Sequence, residues 1–141
     1  MTGIILILTH LCFFPSDLTE ILSVPLDHQD PQGKQIEINY TLFRPYEEHK
    51  KTILLMEDPL NNFFQASLNL RGLEDDFNIV QIKGRNDNET ILKIINSRGE
   101  IDWAKAYHLL HMDQQARDIE WVRKALPGKP QVHLVGFSGA A

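Results

Sequence analysis

Gly136-Phe137-Ser138-Gly139-Ala140 stands directly after the apolar run Val132 to Val135. It nearly matches Gly-x-Ser-x-Gly, the strand-to-helix turn that holds a serine hydroxyl out of its own secondary structure. A serine hydroxyl is a poor nucleophile until a base takes its proton and backbone donors face the oxyanion that forms. On this reading Ser138 is the nucleophile, and the N–H of Gly139, the next residue, is one oxyanion donor. Ala140, in place of the last glycine, adds a methyl group to a crowded turn. In enzymes that use this turn the acid and the histidine come later in the chain. Both are therefore expected to be missing from these 141 residues, leaving Ser138 with ordinary hydroxyl reactivity.

Other constellations point to chemistry less specifically. His108, His111 and Asp113 have side chains that bind zinc, but no fourth ligand is evident beside them, and no metal site is expected. Asp87 and Glu89 lack the ligand spacing of a calcium loop and read as a solvated turn. A glycine-rich turn after a strand can also cradle a phosphate on backbone N–H groups. Gly136-x-Ser-Gly139 lacks the dinucleotide glycine pattern and the Walker lysine, so no cofactor is expected. Trp103, Trp121 and Tyr107 are expected in the core or half-buried rather than lining a peptide pocket.

The composition is that of one ordinary globular domain, with 43% hydrophobic and 23% charged residues. A net charge of −5 without a basic cluster excludes a phosphate-backbone partner, so no nucleic acid is expected. Cys12 is the only cysteine, which rules out an intrachain disulfide and a cysteine-based metal site. Gly3 to Phe14 is an apolar run too short to span a bilayer as a helix, so no stable membrane span is expected. It has the length of a secretory core segment but lacks a preceding Lys or Arg and a small-residue cleavage site. Residues 1–16 therefore read as a signal peptide or as an apolar leader that forms a buried strand or helix. The first alternative implies a secreted or periplasmic protein, the second a cytoplasmic one. Asn39-Tyr40-Thr41 and Asn88-Glu89-Thr90 fit the N-glycosylation triplet.

The segments that must position Ser138 are legible in the hydrophobic pattern. Ser23 to Leu26 and Gln35 to Phe43 read as strands joined through the turn residues Asp27 to Gly33, which makes a hairpin. Thr52 to Met56, Phe77 to Ile82 and Val132 to Val135 are continuous apolar runs, as in parallel strands covered on both faces. A helix is expected over Asn62 to Leu73, with Gly72 near its end. A second is expected over Asp113 to Leu126, with Met112, Ala116, Ile119, Val122 and Leu126 on one face. Asp113 with Arg117 and Glu120 with Lys124 are spaced for ion pairs, and Pro127-Gly128 stops the helix. Asn86 to Tyr107 is a poorly periodic excursion. The order hairpin, strand, helix, strand, helix, strand belongs to the doubly wound α/β class.

Several of these stretches resemble α/β-hydrolases of the proline iminopeptidase and tripeptidyl aminopeptidase type. Val24-Pro25-Leu26-Asp27 through Arg44 is similar to that family's opening hairpin, Tyr107 to Leu126 to the helix before its nucleophile strand, and Gln131 to Ser138 to the strand and turn. The resemblance implies that 17–141 is the N-terminal half of such a fold. It further implies a serine hydrolase, aminopeptidase-like, that acts on a peptide or a small ester through Ser138. None of His10, His28, His49, His108, His111 or His133 matches the family's catalytic histidine. The family's glycine-rich oxyanion loop falls on Glu57-Asp58-Pro59-Leu60, where only the proline agrees, and its arginine loop on Lys83 to Thr90, where Arg85 agrees. Carboxylates at Glu57 and Asp58 would repel a developing oxyanion, so the alternative is a non-catalytic binding or degenerate protein on a hydrolase scaffold. The last strand is expected at a sheet edge, where it invites self-association.

Overall fold

The computed structural model describes residues 18–56, 72–85 and 100–136. The expected hairpin is present: strands β1 (Leu18–Pro25) and β2 (Gln35–Leu42) pair antiparallel, from Leu18 opposite Leu42 to Pro25 opposite Gln35. Strand β1 begins five positions before the expected start at Ser23 because its first half pairs along β2 while leaving its side chains largely exposed. In β2 the period of two is realised. Ile36, Ile38, Tyr40 and Leu42 are buried, while Gln35, Glu37 and Asn39 face solvent. The connecting turn is closed by Asp30 N–H donating to the Asp27 carbonyl at 2.9 Å and Gly33 N–H to the Asp30 carbonyl at 3.0 Å. A Cβ at Gly33 would stand 2.8 Å from Asp30 Cγ, so a larger residue there would make the Asp30 side chain move.

Strands β3 (Lys51–Met56), β4 (Phe77–Ile82) and β5 (Val132–Val135) follow the three apolar runs. The sheet order is β1-β2-β4-β3-β5. Strand β3 lies between β4 and β5 and is parallel to both, as expected, whereas β4 is antiparallel to β2, so the five-stranded sheet is mixed. Together with its helices this makes a mixed α/β structure.

Three helices are described: α1 (Leu73–Asp76), α2 (Trp103–Leu110) and α3 (Met112–Ala125). Positions 57–71, which hold most of the helix expected over 62–73, lie outside the described residues. Gly72 does not end a helix. It precedes α1 with φ 92°, a left-handed conformation that glycine adopts without a Cβ clash. Helix α2 lies within the stretch that shows no clear period in the sequence. Asp102 caps it by accepting from the Lys105 N–H at 3.1 Å, and only Ala106 and Leu109 are buried.

The core lies on both faces of the sheet. On one, Val24, Ile36, Ile38, Tyr40, Leu42, Leu54, Met56, Val80 and Ile82 pack with Val122 and Leu126 of and just after α3. On the other, Leu55 and Ile79 pack with Phe43, Ile53, Phe77 and Leu73 of α1. The expected face of α3 is buried in its C-terminal half, where Val122 and Leu126 are in the core and Ile119 packs against it, whereas in the N-terminal half Gln114 and Asp118 face inward and Met112 is 61% exposed. Of the aromatics expected in the core or half-buried, Trp103 and Tyr107 are instead largely exposed, at 74% and 73%, and Trp121 is 41% exposed. Of the two expected ion pairs, Glu120 with Lys124 is present at 3.4 Å, while Asp113 and Arg117 form none. After α3 the chain turns through Gly128 and Lys129, both at positive φ, and the Arg123 guanidinium donates to the Lys129 and Pro130 carbonyls at 3.0 Å each.

Among the described residues no helix is long and apolar enough to cross a membrane. Leu54 is fully buried in the central strand, so Leu54→Ala is expected to lower unfolding stability by about 2–5 kcal/mol in chemical denaturation.

Candidate functional site

The parallel strands β3, β4 and β5 end at one edge of the sheet, and the chain leaves β3 to one side for β4 and later to the other for β5. The carboxyl ends of β3 and β5 therefore flank a topological switch point, the place where open α/β sheets form a crevice. Strand β5 stops at Val135, and Gly136, half-buried, is the last described residue and the first of the Gly-x-Ser sequence motif. Ser138 and Gly139 themselves lie outside the described residues, as do Glu57 and Asp58, which follow Met56 at the end of β3.

The same edge carries a polar network that sequence reasoning missed as a unit. Because β2 runs antiparallel to β4, the β1–β2 turn meets the carboxyl end of β4, three residues beyond which stands Arg85. The Arg85 side chain is fully buried. Its Nε and Nη2 donate to Oδ2 and Oδ1 of Asp118, each at 2.7 Å, in a bidentate pair. Nη1 donates to the carbonyls of Leu26 at 2.8 Å and Leu109 at 2.9 Å, and Nη2 also reaches the Pro25 carbonyl at 3.4 Å. These contacts use all five N–H donors of a guanidinium. One side chain thus ties the hairpin, the loop after β4, the end of α2 and the middle of α3.

Asp118 accepts a third bond, from His28 Nε2 at 2.7 Å. Gln114, one turn earlier on α3, accepts from the His28 backbone N–H at 2.9 Å and donates to Asp27 Oδ1 at 2.9 Å. Asp27 also accepts from the Gln29 N–H, and its Oδ2 lies 2.9 Å from His108 Nε2. These donors, the Gln29 backbone first and Gln114 next, hold the Asp27 carboxyl down from 3.8 to about 2. Above the network a cleft of about 260 Å³ opens between the hairpin turn and the α2–α3 junction, lined by Gln29, Tyr107, His108, His111, Asp113 and Gln114.

The histidines have structural partners. His28 and His108 are engaged as above. His111 Nδ1 caps α3 by accepting from the Asp113 N–H at 3.3 Å, His49 is exposed beside Glu47 at 3.8 Å, and His133 is exposed on β5 opposite Ile53. His10 lies outside the described residues. Among the described residues no group of His, Cys, Asp and Glu could hold a metal ion, and His108, His111 and Asp113 do not converge on one. Two signals bore on the network: a lone arginine after an apolar strand, and two polar residues, Gln114 and Asp118, spaced four apart on an otherwise amphipathic helix. No family model, no curated protein and no solved structure matches the chain.

Removing one partner of a buried ion pair leaves the other charge uncompensated. Arg85→Met and Asp118→Leu are each expected to lower stability by about 3–5 kcal/mol, and the double substitution by clearly less than the sum, as read in a double-mutant cycle of denaturant unfolding. Asp27 titrates lower in the folded protein than in the unfolded chain. Its contribution is therefore present above pH 4 and is lost as pH falls through about 2. Denaturation midpoints of the wild type should fall more steeply than those of Asp27→Asn between pH 4 and about 2.

Proposed function

We propose that this chain carries the nucleophile-bearing half of a serine hydrolase of aminopeptidase-like type, built as the N-terminal half of an α/β-hydrolase fold. The observation that carries the proposal is topological. Gly136, the first residue of the Gly136-Phe137-Ser138 motif, follows the carboxyl end of β5, beside that of β3, at the switch point of the sheet. A nucleophile leaving a strand there has a crevice for its substrate and a following turn for its oxyanion donor, the role given to the Gly139 N–H. A hairpin followed by three mutually parallel strands supports the reading.

In this reading Ser138 attacks the carbonyl carbon of a peptide or small ester and forms an acyl-enzyme, with the acid and the histidine supplied by groups other than those described. His28 and His108 are committed to Asp118 and Asp27, and His133 lies within β5 rather than beyond its carboxyl end. Self-association through β5, which among the described residues pairs only with β3 and leaves Leu134 58% exposed, belongs to the same proposal, as does secretion of the chain through its leader.

A second reading is favoured by one feature. Met56, the last residue of β3, is followed in the sequence by Glu57-Asp58, two carboxylates where the resemblance implies a glycine-rich loop of oxyanion donors. That reading is a non-catalytic binding protein on the same scaffold.

A fluorophosphonate probe distinguishes the two. Applied to the protein in extracts of its native source and mapped by mass spectrometry, it is expected to modify the peptide containing Ser138. Ser138→Ala should abolish labelling without changing the unfolding midpoint. Absence of label from folded protein would leave the binding reading.

A further inference from the structure

We propose that Asn39 is the acceptor of an N-linked glycan, on the solvent face of the β1–β2 ribbon. The sequence motif alone is weak, since two such triplets occur in the chain; the structure adds to the case for the first. Asn39 lies in the interior of β2, a position asparagine disfavours, because its short polar side chain neither packs on a pleated surface nor extends the ladder. Its backbone is engaged, with the carbonyl accepting from the Lys83 N–H at 3.0 Å, but its side-chain amide has no hydrogen-bond partner among the described residues. The residue is exposed, on the face of β2 opposite Ile36, Ile38, Tyr40 and Leu42, so a sugar on Nδ2 displaces nothing from the core.

Directly across the ribbon from Asn39 stands Ile21, 64% exposed. Among the described residues β1 pairs only with β2, which leaves it an edge strand with an apolar side chain in water. A glycan at position 39 would lie over Ile21 and flank the unpaired edge of β1, hindering strand addition there. The third residue of the triplet, Thr41, points to the same face and shares a hydrogen bond with Thr19 across the ribbon at 3.0 Å. Pairing of β1 with β2 thus sequesters the triplet, and modification has to precede closure of the hairpin, as it does when sugar is added to a chain still being translocated.

The transfer uses a polyprenyl-diphosphate oligosaccharide as donor. The Asn39 Nδ2 forms a bond to the anomeric carbon, the bond from that carbon to the diphosphate oxygen breaks, the polyprenyl diphosphate leaves with the electron pair, and the amide proton passes to the transferase's base. The proposal rests on the reading of residues 1–16 as a signal peptide, because donor and transferase act in the lumen of the secretory pathway.

The test expresses the full chain, with its own N-terminal segment, in a eukaryotic secretory host and treats the recovered protein with peptide N-glycosidase, which leaves aspartate where a glycan was. Conversion at position 39, read by mass spectrometry of the wild-type peptide, is the expected result. It should be accompanied by loss of one mobility step in Asn39→Gln and in Thr41→Val, and retention of that step in Thr41→Ser. An unmodified Asn39, whether Asn88 is converted or not, would overturn the proposal. Because the readout is the wild-type peptide, it does not depend on the variants folding. It shares with the proposed function only the secretion of the chain, and its failure leaves the hydrolase chemistry standing, since it involves neither Ser138 nor Gly139.

Discussion

A guanidinium buried without water is tolerated only if every one of its donors finds an acceptor and its charge finds an anion. Arg85 meets both conditions, and meeting them fixes the relative positions of four segments. The carboxylate of Asp118 must sit inward on α3, so the helix turns a polar half toward the sheet edge and an apolar half, Val122 and then Leu126, toward the sheet centre. The hairpin must then present the carbonyls of Pro25 and Leu26 rather than side chains, and His28 must fold back over the carboxylate. Geometry at this edge follows from the needs of one cation. The hydrophobic core supplies the larger driving force, but it does not discriminate among nearby rotations of α3 as sharply as a bidentate ion pair does.

This constraint sits beside the switch point rather than within it. Strand β4, whose extension carries Arg85, is separated from β5 by β3 alone, a distance of roughly 10 Å at ordinary strand spacing. The network can therefore stiffen the edge at which β3 and β5 end. Its histidines and carboxylates look catalytic in a residue count, yet each is held by a partner that fixes a backbone or a helix end. Asp27, with His108 and Gln114 around it, is a case of a carboxylate kept ionised by structural donors.

Where burial follows local pattern, the sequence was a sufficient guide. The alternation of Ile36, Ile38, Tyr40 and Leu42, the unbroken apolar runs of β3 and β4 and the turn chemistry of Asp27 to Gly33 each map onto the element they suggest. Misreadings occurred where a distant partner decides. Asp118 has the position of a residue that favours a helix N-terminal half, and nothing within α3 reveals that Arg85, 33 positions away, draws it inward. The same inward turn of Gln114 and Asp118 leaves Met112 outside. Helix α2 was missed because only Ala106 and Leu109 face the protein, too few to impose a period. Gly136-Phe137-Ser138-Gly139-Ala140 is legible as a motif, but beyond Gly136 it lies outside the described residues.

The contact between His28 and Asp118 joins residues 90 positions apart, and that between His28 and Gln114 joins residues 86 apart. Closing loops of that size carries an entropic cost that no local turn can defray. The β1–β2 ribbon pairs neighbouring residues, but the end that receives Arg85 and α3 lacks these partners until Asp118 is in place. Order at this edge therefore waits on α3 rather than on the pairing of the first strands.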